Sequence, residues 1–484
     1  MPDILLAFAL IAAVLMLAAL LSGIVERIPV SFPMIFLGLG FVLGGAGLDV
    51  LPISLHSPAL ETIAVLSLSF VLFLDAVHLR FGELGREWVV PVLALGPGTL
   101  LTVAFIALFA ALVLRLSPLQ ALLLGTILAS LDPVVLRDVV RDERIPRAIR
   151  SALQTEAGTN DLVVLPLLLI LASLAEGQSR GAAGWLVLVV QLFLLGPLAG
   201  VAVGLVAVWL MRPVQARFTI DRVYLALYSV GTILAAYVAG EAVGGSGFLA
   251  VFAAGAVTVA LDYNLCDCFL EYGETTSEMA MLLAFLLFGA LLSSLLGGIA
   301  LLPVFLFALL VLVVARPLAI GVVLRHAPIS SRGRRFIGWF GPRGLSSLLF
   351  GLLVVTEGVP GAERLLALTG VVVVVSVIAH GVSAAPLAAR YGRAVARETL
   401  AEERESTAAG LFRQAPGDVP RITPRELAER LASADPPLVL DVRTRSAYAR
   451  DDARIPGSVR VPPDRVAEWA AGQGHTRSIV AYCT

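Results

Sequence analysis

Blocks of about twenty apolar residues, separated by short polar turns, fill the chain from Ile4 to about residue 390. A hydrocarbon core about 30 Å thick needs roughly 20 apolar residues per helix. On that basis the pattern predicts thirteen spans: 4–23, 30–48, 59–77, 88–114, 119–136, 148–175, 184–211, 221–240, 246–261, 277–296, 299–324, 335–355 and 363–389. From about Gly392 the sequence turns polar and Arg-rich, and short apolar runs replace the long ones. The expected organisation is an all-α polytopic membrane region over 1–391, a linker over 392–418 and a small α/β tail over 419–484.

Composition agrees with this division. Apolar residues make up 58% of the chain and charged residues 15%, with mean hydropathy +0.92, far from the balance of a soluble domain. The formal charge is −1 and the basic residues are scattered over loops, so no nucleic-acid surface is expected. Three cysteines are too few for a disulfide framework. The apolar N-terminus lacks a basic region before it and a small-residue cleavage site, and reads as a retained helix, with no signal peptide.

An odd number of spans puts the termini on opposite sides, and arginine tells which. All 35 basic residues are arginine. With the N-terminus outside, the inner loops, tail and helix ends collect Arg27, Arg80, Arg86, Arg137, Arg141, Arg144, Arg147, Arg150, Arg212, Arg217, Arg222, Arg325, Arg332, Arg334, Arg335, Arg390, Arg393 and Arg397. The outer side holds only Arg115, Arg180 and Arg364. Short basic loops stay cytoplasmic, so a cell-membrane protein with its N-terminus outside and C-terminus inside is expected. One inner loop, between the ninth and tenth spans, is acidic (Asp262, Asp267, Glu271, Glu274).

Two spans are interrupted at matching places. If spans one to six repeat as eight to thirteen, Ser130-Leu131-Asp132-Pro133 in the fifth corresponds to Gly341-Pro342-Arg343-Gly344 in the twelfth. Such paired breaks mark binding sites in transporters built from inverted repeats. Proline frees backbone carbonyls, and the half-helix ends carry opposite partial charges that Asp132 and Arg343 have the right signs to neutralise.

The sixth span carries Thr155-Glu156-Ala157-Gly158-Thr159-Asn160-Asp161. A charge at mid-bilayer costs about 2.5–3.5 kcal/mol on insertion scales and usually marks an ion or proton path. Glu156 and Asn160, four apart, share a face, and Asp161 lies one step round the helix. A buried carboxylate can be neutralised by a proton or by a cation, so Asp161 can trade one for the other. Glu156 needs a buried base, and Arg316 in the eleventh span supplies one, as a structural ion pair.

In order and spacing, Asp132-Pro133, Glu156 with Asn160-Asp161, Ala315-Arg316-Pro317, Gly341-Pro342-Arg343-Gly344 and His380-Gly381 resemble the monovalent cation:proton antiporters of the NhaP and eukaryotic NHE type. Leu74-Asp75-Ala76 and Gly245-Ser246-Gly247-Phe248-Leu249-Ala250 fit the same pattern. The resemblance covers roughly residues 5–390. It implies thirteen helices in two inverted repeats with crossed, unwound helices, a homodimer, no cofactor, and elevator-like exchange of Na+, Li+ or K+ for H+. By the same resemblance Asp161 carries the ion and then the proton, Asp132 supports the site, Asn160 orients it, and Glu156 with Arg316 holds the helices together. Members with Asn-Asp are generally electroneutral. No metal is expected beyond the transported cation.

The chain departs from the family at two hydroxyl positions, occupied here by Leu131 and Ala157. Ser130 or Thr159 are the candidate substitutes, and Asp75 is a candidate further ligand. Oxygen number and spacing set cation preference, so Na+ is expected first with K+ as the alternative. His380 reads as a packing or hydrogen-bonding residue.

In the tail, Pro437-Leu438-Val439-Leu440-Asp441-Val442-Arg443, Ile455-Pro456-Gly457-Ser458 and Ser478-Ile479-Val480-Ala481-Tyr482-Cys483 resemble part of a rhodanese-like domain, with Cys483 where its nucleophile stands. The residues after Thr484 that would cradle the thiolate are expected to be missing by truncation or decay, so no sulfurtransferase activity is expected. Cys266 and Cys268 read as ordinary thiols. The chain is therefore expected to be a secondary transporter and not an enzyme. The reading from another class is a redox or sulfur sensor whose membrane region anchors the tail.

Overall fold

The computed structural model describes residues 9, 12–14, 16–21, 23, 31–51, 53–55, 57–78, 89–132, 136, 139–142, 144–175, 181–261, 263–297, 299–398, 422–433, 435–451, 453–473 and 478–482. Among them are eight helices long and apolar enough to cross a bilayer and five shorter apolar ones. Each falls on one of the thirteen spans. Leu302 and Trp209 are 80% and 73% exposed. Such exposed apolar side chains suit a surface that faces lipid or a partner subunit.

The interrupted spans shape the bundle. The fifth span opens on a capping box, Ser117 with Gln120, yet its helix runs only Pro118–Ile127 and the chain is non-helical over 130–132. The described residues are helical again at 136 and 139–141, so the fifth span is broken at the expected place. The twelfth span divides into Ser331–Trp339 and Leu345–Thr356 around an unwound 340–344. Five-residue π turns interrupt the fourth span at Ala94–Gly98 and the eleventh at Val311–Ala315, and another lies at Gln191–Leu195 in the seventh.

The acidic stretch expected as a loop before the tenth span is instead helical, part of one 33-residue helix, Tyr263–Leu295. Between Tyr263 and the start of the tenth span it contains no proline and a single glycine, Gly273, so nothing in it forces a stop. The side chains of Cys266 and Cys268 lie outside the described ones.

The tail forms a parallel three-stranded sheet in the order β2-β1-β3, with β1 Leu438–Asp441, β2 Val459–Arg460 and β3 Ile479–Tyr482. Leu440, Val442 and Val461 make its small core. Burial pushes the Asp441 carboxyl up, but Arg443, bonded to it at 2.7 and 3.0 Å, more than offsets this and holds it below the ordinary carboxylate value. Helix Arg445–Arg450 packs on the thirteenth span, Ala362–Arg397. Asp464 accepts a hydrogen bond at 2.6 Å from the backbone N–H of Arg147, the first residue of the sixth-span helix, and another from Arg445 at 3.0 Å. A carboxylate there satisfies a free helical N–H and opposes the helix dipole. Cys483 lies outside the described residues.

Candidate ion-binding site

The two interruptions lie against each other and exchange hydrogen bonds. Asp132 N–H donates to Pro342 O at 3.0 Å, and the Asp132 carboxylate accepts from Leu345 N–H at 3.0 Å. Leu345 is the first residue of the second half of the twelfth span, so this carboxylate sits on a helix N-terminus. Arg343 Nη1 donates to Ala129 O and Ser130 O, both at 3.0 Å, covering carbonyls left open where the fifth-span helix stops. Each break thus carries the charge that the other's half-helix requires. Pro133 lies outside the described residues.

The contact leaves no room at Gly344, where an added Cβ would stand 1.7 Å from the Asp132 carboxylate oxygen. Gly344→Ala must displace that carboxylate from the helix end. It is expected to lower stability by about 1–3 kcal/mol and to reduce transport strongly. Thermal melting and vesicle flux check this; wild-type values in both would refute it.

Arg343 N–H donates to Ser376 Oγ at 2.7 Å, and the Ser376 hydroxyl in turn lies 3.2 Å from His380 Nδ1. His380 Nε2 meets Trp339 O at 2.9 Å, the last carbonyl of the first half of the twelfth span. His380 Nδ1 also lies 2.9 Å from the Ser376 carbonyl oxygen, so the ring bridges the thirteenth span to the end of that half-helix.

The sixth-span helix, Arg147–Ala175, passes beside the crossing. Ser130 Oγ donates to Asp161 Oδ1 at 2.6 Å, while Asp161 Oδ2 is buried without a hydrogen-bond partner. Ser346 lies beside the same carboxylate. Asn160 Nδ2 donates to Thr99 Oγ1 at 2.9 Å, and Asn160 Oδ1 is also buried and unpartnered. Asp161 and Asn160 are 3% and 1% exposed. Thr159 donates its hydroxyl hydrogen to Thr155 O. Of the two candidate hydroxyls, only that of Ser130 bonds to Asp161.

Asp75 is buried in the third span, close enough to Asp161 and Asp132 to interact with both. Among the described residues no three His, Cys, Asp or Glu side chains are arranged to hold a metal ion. Glu156 and Arg316 form a bidentate pair at 2.7 and 2.9 Å, both nearly sealed from solvent. Arg316 also donates to Ile337 O and Phe340 O, at 3.3 and 3.4 Å. A cavity of about 350 Å³ is lined by Glu61, Glu241 and Glu357 together with Leu169 of the sixth span.

Thr99, Ser376 and Ser346 join this site with no motif to mark them. A threonine or serine in an apolar helix carries no signal of which helix its hydroxyl serves.

The family described as "Sodium/hydrogen exchanger, transmembrane" matches residues 11–390. The K(+)/H(+) antiporter NhaP of Alkalimonas amylolytica is 28% identical over 388 residues, covering 78% of this chain and 66% of that protein. NhaP2, a K(+)/H(+) antiporter of Shewanella baltica, is 27% identical over 382 residues, covering 78% and 65%. The chain thus spans about two thirds of the length of these curated relatives. In structure it is similar to the sodium proton antiporter MjNhaP1 from Methanocaldococcus jannaschii at pH 8, with TM-score 0.66 and 22% identity over 81% of this chain and 99% of that one. With crossed broken helices over a buried Asn-Asp pair and a family match across its membrane region, the chain belongs to the sodium/hydrogen exchanger family.

Proposed function

We propose that the chain exchanges a monovalent cation for protons, the two competing for Asp161. The observation that carries this reading is the pair of buried, unpartnered oxygens, Asp161 Oδ2 and Asn160 Oδ1, on adjacent residues. A buried acceptor without a donor is costly. Here a proton on Asp161, or a cation between the two oxygens, removes that cost, and the two cannot bind together. Asp132 and Arg343 hold the unwound segments, Ser130 orients Asp161, Asp75 is a further ligand from the third span, and Glu156 with Arg316 fixes the sixth span to the eleventh.

Na+ is the first substrate in this reading and K+ the alternative, which the curated relatives favour by name. Asn160 in place of a second acid makes the exchange electroneutral. The membrane region is 1–391, working as a homodimer in the cell membrane with the N-terminus outside; 419–484 is a partial rhodanese-like tail on the inner side.

Proteoliposomes carrying an imposed pH gradient test the reading. Addition of Na+ or K+ is expected to dissipate the gradient at a rate independent of membrane potential, and comparison of Na+, K+ and Li+ gives the selectivity. Failure of every alkali cation to move protons would overturn the proposal.

A further inference from the structure

We propose that Thr99 is the residue that makes Asn160 a cation ligand, by taking up the amide nitrogen and leaving the carbonyl oxygen facing the ion. This rests on the exchange reading above and names a positioning residue within it.

A carboxamide has a donor end and an acceptor end. At Asn160 the donor end is committed, Nδ2 lying 2.9 Å from Thr99 Oγ1, and the acceptor end is buried with no donor. Reversal of the amide would turn an NH2 group, a donor that repels a cation, to the side where the carbonyl oxygen now lies. The hydroxyl of Thr99, itself 3% exposed, accepts from Nδ2 and anchors the amide with its oxygen on the free side.

Thr99 departs from the habit of threonine in this bundle. Thr102, Thr126, Thr159, Thr232, Thr258 and Thr369 each donate to the carbonyl four residues back in the chain. Thr99 instead pairs with a side chain of another span. The backbone explains the difference: Thr99 directly follows the π turn Ala94–Gly98, which inserts a residue and rotates the next turn of helix to a new face.

The same device recurs in the eleventh span. Its π turn, Val311–Ala315, ends directly before Arg316, and Arg316 reaches Glu156. Glu156 and Asn160 are one helical turn apart on one face of the sixth span. Two π turns, in spans that correspond under the repeat, thus aim one residue each at that face: Arg316 at Glu156 and Thr99 at Asn160.

Thr99→Val keeps the shape and removes the hydroxyl; Thr99→Ser keeps the hydroxyl. In proteoliposomes Thr99→Val is expected to raise the KM for the cation about tenfold, the equivalent of one lost ligand-orienting hydrogen bond, with kcat within about twofold of wild type. At a fixed cation concentration below KM its rate optimum moves to higher pH, because protons then compete against a weaker cation. Thr99→Ser is expected to restore both KM and the pH profile. An unchanged KM and pH profile in Thr99→Val would overturn the proposal while wild-type exchange still stood; absence of exchange in the wild type would remove the functional reading itself. Should Thr99→Val fail to fold, an altered KM in well-folded Thr99→Ser would also count against it, since the acceptor is retained there.

Discussion

Asp161→Asn is expected to abolish cation–proton exchange, at least about a hundredfold in rate, while the protein stays folded. The substitution preserves shape, and the amide oxygen can still accept from Ser130 Oγ, which bonds Asp161 Oδ1 at 2.6 Å. What it removes is the ability to hold a proton at one moment and a negative charge at the next. A structural acid would behave differently: its loss would show in melting temperature, and an exchanger built around another group would retain flux. Asp161 makes no ion pair with Arg343 or Arg316, whose nearest acceptors are Ala129 O and Ser130 O for the one and Glu156 for the other. Loss of its charge therefore strands no buried cation, and the expected change in stability is within about 1 kcal/mol. Flux in vesicles beside a thermal melt of the same preparation separates the two outcomes. Retained flux would place the exchanging group elsewhere.

How much of this was legible in the sequence follows from where the information resides. Lipid imposes apolar stretches of fixed length, so the spans could be counted from hydropathy alone. The breaks were visible too, because a proline or glycine beside a charge is costly in an apolar run and is tolerated where the backbone opens onto a polar site. The ends of the broken helices were not: the first half of the fifth span stops at Ile127, where Arg343, more than 200 residues away, covers the open carbonyls. The acidic stretch before the tenth span misled because polarity marks departure from lipid and says little about whether a helix stops. The π turns left only a faint trace, Pro97 inside the first and Pro317 just after the second, since Ala94–Gly98 and Val311–Ala315 differ from ordinary helix only in register. Thr99 was hidden for the same reason. The contact of Asp464 with the start of the sixth span joins residues 317 positions apart, and neither carries a local motif.

Arg316→Met is expected to be the most destabilising single change in the membrane region. Glu156 is sealed in the bundle with both oxygens on Arg316, and removal of one partner from such a pair costs about 3–5 kcal/mol. The double variant Glu156→Leu with Arg316→Met removes both charges and is expected to recover most of that loss, since an apolar pair of similar volume often replaces a buried ion pair at little cost. Recovery should stop short of complete. Arg316 also donates to Ile337 O and Phe340 O at the end of a half-helix, and an added Cβ at Gly341 would stand 2.0 Å from the Arg316 side chain, so the unwound segment is packed directly on it. Those contacts are lost in the single and the double variant alike. Melting temperatures of the wild type, the two single variants and the double close a thermodynamic cycle. A coupling energy well above 1 kcal/mol, with flux partly restored in the double, identifies the pair as a clasp between the sixth and eleventh spans; a folded double variant with no flux would instead put Glu156 or Arg316 in the transport step.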